Sequence, residues 1–235
     1  MSENNIRKIA VMPARGGSKR IPKKNIKDFC GKPMIAWPLE ILKKSNIIDD
    51  IIVSTDSDEI ISVCEDLDIK VPFIRPESLS DDFTGTAEVV KHATEWYVKN
   101  INEVDIVLTV YPTAVFLSND DIESAYKILQ ENSCQIVFTG TEYPYPIQRA
   151  VYLEKKNKVS MFDPQYNLAR SQDLKKSYHD AGQFYLAKKH AVINEISALS
   201  DSSSMLILPR ERVVDIDTLE DFAIAEKLFK LSLSD

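Results

Sequence analysis

At 235 residues, 44% hydrophobic and 28% charged, the chain has the composition of an ordinary globular protein and lies outside the range of disordered ones. A net charge of −7 disfavours non-specific binding to nucleic acid, and no apolar run approaches the ~20 residues of a membrane span. The three cysteines, Cys30, Cys64 and Cys134, lie too far apart for the close pairs of zinc ribbons or thiol redox sites; with no secretion-signal pattern at the N-terminus, they read as reduced and the protein as cytoplasmic.

Residues Arg7 to Met12 read as a buried first strand closed by Pro13. The next segment is unusual. Seven cations and one acid between Arg15 and Lys32 give it +6 and leave −13 for the rest of the chain, so a localised anionic ligand is expected there. A helix is predicted from Pro33, a favourable first-turn residue, to Ser45. The β-branched run Ile51 to Thr55 predicts a second strand. Asp56-Ser57-Asp58-Glu59 has capping-box spacing and opens a helix to Leu67. A third strand is expected over Ile69 to Ile74, a helix over Thr86 to Lys99, and a fourth strand over Val104 to Val110. A helix over Asp120 to Glu131 and a fifth strand over Gln135 to Thr139 follow.

This alternation argues for an α/β fold, a mainly parallel sheet with helices on both faces. It breaks between Tyr143 and Tyr178, where the chain is polar and aromatic with three prolines. That stretch reads as a lobe inserted in a single domain spanning 1–235, with a hairpin around Lys155 to Lys158. Gln183 to Leu186 returns to strand, Asp201 to Ser204 is loop, Met205 to Leu208 is a short strand, and Thr218 to Leu231 is an amphipathic helix.

Three segments carry candidate chemistry. Pro13-Ala14-Arg15-Gly16-Gly17-Ser18-Lys19-Arg20-Ile21-Pro22-Lys23-Lys24-Asn25 follows the first strand, at the carboxyl edge where open α/β sheets bind ligands. Gly16 and Gly17 let backbone amides face an anion, while Ser18, Arg15, Lys19 and Lys24 can spread over several phosphate oxygens. The spacing is neither that of a Walker A loop nor a dinucleotide fingerprint. In Val213-Val214-Asp215-Ile216-Asp217, an extended chain puts Asp215 and Asp217 on one face, a pair suited to a hard cation such as Mg²⁺ shared with phosphates. Asp217 alternatively starts the last helix, since Asp217-Thr218-Leu219-Glu220 also has capping spacing. Arg75, after the third strand, is placed either to touch a nucleotide or to pair with Glu77 or Asp81. Asp56 is expected to cap its helix. The histidines form no zinc pattern, and His179 reads as a packing or lobe residue.

Together these segments resemble the cytidylyltransferases that activate nonulosonic acids, the CMP-sialic acid synthetase family. The resemblance rests on P-A-R-G-G-S-K-R-I-P-K-K-N, S-T-D-S-D-E-I, R-P-E-S-L-S-D-D and D-I-D-T-L-E-D. Within the family, Tyr111-Pro112-Thr113-Ala114, Arg170-Ser171-Gln172-Asp173 and His179-Asp180-Ala181-Gly182-Gln183-Phe184-Tyr185 look like the branch that uses pseudaminic acid, with Val115 where that branch has proline. The resemblance implies a Rossmann-like nucleotidyltransferase fold whose inserted lobe packs against a second subunit in a homodimer. It implies CTP and a nine-carbon 2-keto sugar acid as substrates, pyrophosphate as product and Mg²⁺ as cofactor. By the same resemblance Ala14, Arg15, Gly16, Gly17, Ser18 and Lys24 hold the phosphates, and Lys24 stabilises the transition state with Arg15. Asn25 and Arg75 contact the nucleotide. Asp215 and Asp217 hold the metal, and one of them helps deprotonate the sugar hydroxyl. Arg170 takes the sugar carboxylate; Gln172, Gln183, Phe184 and Tyr185 line the sugar pocket. The alternatives are N-acetylneuraminic or legionaminic acid as the sugar, and a non-catalytic nucleotide-binding protein; the latter would need a damaged loop or acid pair.

Overall fold

The computed structural model describes residues 6–233. Its strands are β1 (Lys8–Pro13), β2 (Asp28–Phe29), β3 (Lys32–Pro33), β4 (Asp50–Ser54), β5 (Ile106–Val110), β6 (Ile136–Glu142), β7 (Val151–Leu153), β8 (Val159–Met161), β9 (Tyr178–Lys188) and β10 (Ser203–Ile207). The helices are α1 (Ala36–Lys43), α2 (Asp58–Asp66), α3 (Thr86–Asn100), α4 (Asn119–Glu131), α5 (Lys189–Ile193) and α6 (Leu219–Ser232). The central sheet runs β10-β6-β9-β5-β1-β4. β1 is parallel to β4 and β5, and β10 to β6; only β9 is antiparallel, wedged between β5 and β6. The carboxyl ends of β1, β4 and β5 therefore converge on one edge.

The sheet is covered on both faces, which is why β5 is buried at every position. Leu108, Phe184 and Leu186 pack with α1, α2 and α4 on one face; Val11 and Val107 pack with Tyr97 of α3 on the other. A separate cluster gathers Ile21, Phe29, Met34 and Ile216 against Phe222, Ala225 and Phe229, one stripe of α6 at helical spacing. Phe29 meets both Phe222 and Phe229 edge-on at 5.4 Å. Each such side chain contributes ~1.5–3 kcal/mol through burial. This cluster matters for function because it joins the cationic loop, through Ile21, to the acidic segment, through Ile216.

Two expected elements differ. Ile69 to Ile74 is no strand; only Ile74 pairs, in a single parallel bridge with Thr55. Pro72 removes a ladder donor, and Asp68 enters the segment with left-handed φ of 55°. Pro33 belongs to the β2–β3 hairpin, and α1 begins three residues later. Between β6 and β9 the chain leaves the sheet for the β7–β8 hairpin and short 3-10 turns, with Lys156 and Asn157 turning at φ of 61° and 59°. β9 starts earlier than expected and bends where Gly182 adopts φ of 62°; Ala181 to Phe184 lie opposite Thr139 alone.

Candidate active site

The cationic loop leaves β1 at Pro13, and Ala14, fully buried, donates its N–H to the Ser54 carbonyl at 2.9 Å. Gly16 donates its N–H to Asp56 Oδ1 at 2.8 Å. A Cβ on Gly16 would sit 2.8 Å from Ser57 Cβ, so only glycine allows this approach. Asp56 thus pins the loop and does not cap α2, whose N-cap is Ser57. Asn25 donates Nδ2 to the Arg15 carbonyl at 3.0 Å, tying the loop's end to its beginning. Gly17 is exposed with open space above its backbone, and Ser18 N–H bonds back to the Gly16 carbonyl at 3.1 Å.

Burial of Ile21 and Ile216 in one cluster under α6 brings the loop to the acidic segment. Lys24 Nζ donates to the Ile216 carbonyl at 2.6 Å and lies 3.4 Å from Asp217 Oδ1. Arg20 pairs with Asp217 Oδ2 at 2.7 Å, so each oxygen of Asp217 faces a cation from the loop. Asp217 is not the helix cap: Thr218 is, in a reciprocal capping box with Asp221. No hydrogen bond or salt bridge among the described residues engages Asp215. Loss of solvation, and then the neighbouring charge of Asp217, push its carboxyl above the ordinary range. Among the described residues no group of three His, Cys, Asp or Glu side chains is placed to hold a metal. Asp215 and Asp217 are a two-carboxylate set.

Arg75 is buried at the end of β4, donating Nε to Ser54 Oγ at 3.1 Å and a terminal nitrogen to the Ser54 carbonyl. Burial lowers its pKa. The chain beyond it returns over the cationic loop, where Asp82 pairs with Arg15 at 3.0 Å and with Lys19. Hydrogen bonds from Thr84 hold the Asp81 carboxyl below the usual range. Between these segments lie two adjoining clefts of about 410 and 360 Å³, both walled by Pro13, Arg15, Arg20, Asp82 and Tyr111. Ser18, Lys24 and Asn25 line the first and Arg75 the second. A third, mostly apolar cavity of about 230 Å³ lies between the sheet and helices α3 and α5, sharing Thr86 and Tyr111 with the second cleft.

The expected sugar residues divide. Tyr185 lines the apolar cavity, edge-on to Tyr111 at 5.9 Å. It donates its hydroxyl to Asp180; burial and that bond raise its pKa far above the ordinary phenol. Gln183 is buried and gives Nε2 to the Arg212 carbonyl at 2.5 Å, leaving Oε1 without a partner. Strand alternation turns Phe184 to the opposite face, fully buried in the main core, and it lines none of these cavities. Arg170, 72% exposed, pairs with its neighbour Asp173 at 2.8 Å, and neither it nor exposed Gln172 lines them. His179 packs against Tyr143 with the rings tilted 55° and their centroids 4.7 Å apart. Sequence reading missed Asp56 as the loop's anchor and Tyr111 as the wall common to all three cavities. The position of Tyr111, directly after β5 at the carboxyl edge, was the available signal.

A helix-flanked, mainly parallel sheet whose cationic loop lines a cleft and pairs through Arg20 and Lys24 with Asp217 defines a nucleotidyltransferase-type fold. The chain belongs to the cytidylyltransferase family, whose sequence model matches residues 9–228. It is 42% identical over 227 residues to the pseudaminic acid cytidylyltransferase of Campylobacter jejuni subsp. jejuni serotype O:2, covering 97% of this chain and 98% of that one. It is 31% identical over 241 residues to the CMP-N,N'-diacetyllegionaminic acid synthase of Legionella pneumophila, with 97% and 98% covered. Its fold matches that of a CMP:2-keto-3-deoxy-manno-octonic acid synthetase complexed with CTP, with TM-score 0.67 at 17% identity, covering 97% of this chain and 99% of that one.

Proposed function

We infer that this chain transfers CMP from CTP to the anomeric hydroxyl of pseudaminic acid, releasing pyrophosphate. The observation that carries this reading is the pairing of Arg20 and Lys24, which line the cationic cleft, with Asp217. The 42% identity to a pseudaminic acid cytidylyltransferase supports the choice of sugar.

In this reaction the sugar oxygen forms a bond to the α-phosphorus while the bond from that phosphorus to the β-phosphate oxygen breaks. Arg15, Ser18 and the exposed Gly17 backbone hold the triphosphate, with Gly16 fixed behind them by Asp56, and Asn25 and Arg75 bear on the nucleotide. Lys24, only 19% exposed, offsets charge developing on the phosphoryl oxygens. The hydroxyl proton leaves to the acid pair, where poor solvation holds the Asp215 carboxyl above its ordinary range. A hard divalent ion fits that pair, because Mg²⁺ is commonly held by one or two carboxylates with substrate phosphates completing its shell. When bound, it would supply charge neutralisation for the departing pyrophosphate.

The apolar cavity behind Tyr111 and Thr86 suits the acyl and deoxy groups of such a sugar. The lobe over 143–178 presents Tyr145, Phe162 and Leu168 to solvent, Leu168 at 93%. An apolar face of that kind supports a homodimer in which Arg170 and Gln172 reach the partner's cleft. Because CTP is an intracellular nucleotide, the same reading makes the protein cytoplasmic.

The test is pyrophosphate release from CTP and Mg²⁺ with pseudaminic, N,N'-diacetyllegionaminic and N-acetylneuraminic acids offered separately. Release with pseudaminic acid alone is expected. Release only with the legionaminic derivative would favour the second reading, which the Legionella relative motivates. No release with any of them, from folded protein, would overturn catalysis.

A further inference from the structure

Outside the residues already assigned, one part-buried cluster ties the Tyr111 wall of the cleft to the segment that leads to Asp215. Arg212 donates NH1 to Asp121 Oδ1 at 3.2 Å and NH2 to the Phe116 carbonyl at 2.8 Å, with a second bond from NH2 to Asp121 Oδ2. Asp121 is 8% exposed. The carbonyl of Arg212 accepts from Gln183 Nε2, and the Gln183 carbonyl accepts the N–H of Tyr111 at 3.0 Å. Phe116 is five residues beyond Tyr111, so these bonds close a ring through β9, the exit of β5 and the start of α4.

Three residues after Arg212 comes Asp215. The segment Val213 to Asp217 belongs to no strand and has no ladder to set its height above the sheet. It is anchored at one end by Arg212, in the middle by buried Ile216, and at the other end by Asp221 Oδ2, which accepts the Asp217 N–H at 3.2 Å. The fork is not needed to cap α4, because Ser118 already accepts the Asp121 N–H.

We propose that Arg212, held by Asp121 and the Phe116 carbonyl, is a positioning residue that sets where Asp215 and Asp217 stand relative to the Tyr111 wall of the cleft. The proposal rests on the function inferred above. A planar guanidinium is required, since lysine cannot reproduce a fork and a third bond together.

The experiment compares wild type with R212Q, R212K and D121N as full chains. It records thermal midpoint, kcat and KM for CTP and sugar acid, the Mg²⁺ concentration for half-maximal rate, and Mn²⁺ affinity with CTP present by electron paramagnetic resonance. In R212Q, kcat and Mn²⁺ affinity are expected to fall about 10–100-fold, the range for losing an outer partner of a metal-binding group, with KM for CTP held within about threefold and R212K intermediate. Unchanged kcat and Mn²⁺ affinity in folded R212Q would overturn the proposal, whatever the midpoint does. So would a uniform loss in which R212K matches R212Q and CTP binding weakens equally. If R212Q fails to fold, R212K and D121N carry the same comparison. If wild type itself releases no pyrophosphate, the proposed function fails, and the Mn²⁺ arm alone decides on Arg212.

Discussion

The cationic loop and the inserted lobe both carry residues that sequence motifs single out, yet the fold treats them differently. In the loop, the bonds that tie it to the rest of the fold are distant in sequence: Gly16 to Asp56, and Lys24 to Ile216 and Asp217, some 190 positions away. In the lobe, Arg170 bonds to Asp173 three residues on, and Leu168 beside it stands almost bare. Contacts between remote segments fix side chains relative to the sheet, so the loop's cations are pre-organised within one chain. A locally paired, exposed arginine is not; it gains a defined place only when something packs on the lobe.

Four substitutions sharpen that contrast, taken from the largest effect to the smallest. Lys24→Ala should lower turnover by about 10³-fold, as expected for a donor aimed at developing phosphoryl charge, with the thermal midpoint largely preserved. Turnover near wild type would remove Lys24 from the mechanism. Asp217→Ala should cost about 10²-fold in kcat and shift the Mg²⁺ dependence. Because Thr218 is the cap, the same change should spare the ~1 kcal/mol that losing a helix cap costs; chemical denaturation checks this, and a full cap-sized loss would contradict the assignment. Asp56→Ala leaves the Gly16 amide without its carboxylate, and CTP affinity by calorimetry should weaken roughly tenfold, the worth of one charge-assisted hydrogen bond. Arg170→Lys should raise KM for the sugar acid by about fivefold with CTP affinity unchanged, since lysine loses the fork that matches a carboxylate. Equal weakening of both substrates, or an effect that persists in a monomeric form, would break the proposed division between loop and lobe.

Much of this was legible from residue order. Apolar runs and capping spacings located β1, β4, β5, β6 and the main helices, because strand and helix periodicity are local properties. The motif P-A-R-G-G-S-K-R-I-P-K-K-N singled out the loop as the candidate anion site because its glycines and cations lie side by side. Two local signals misled. The apolar letters of Ile69 to Ile74 resembled a strand until Pro72 and the left-handed Asp68 limited it to one bridge. The spacings around Asp56 and Asp217 resembled caps, yet the N-caps are Ser57 and Thr218.

By itself the sequence determined the fold class and singled out the cationic loop and the acid pair as candidates, because each depends on neighbours a few residues apart. Only the tertiary structure decided which face of β9 each residue serves, sending Phe184 to the core and Tyr185 to the apolar cavity. It alone decided that Asp56 holds the loop, that Lys24 meets Asp217, and that Arg212 gathers three segments. Those pairings span tens to nearly two hundred positions. They arise from the burial of Ile21 and Ile216 in one cluster and from the convergence of parallel strands on one edge, and no periodicity in the chain encodes such distances.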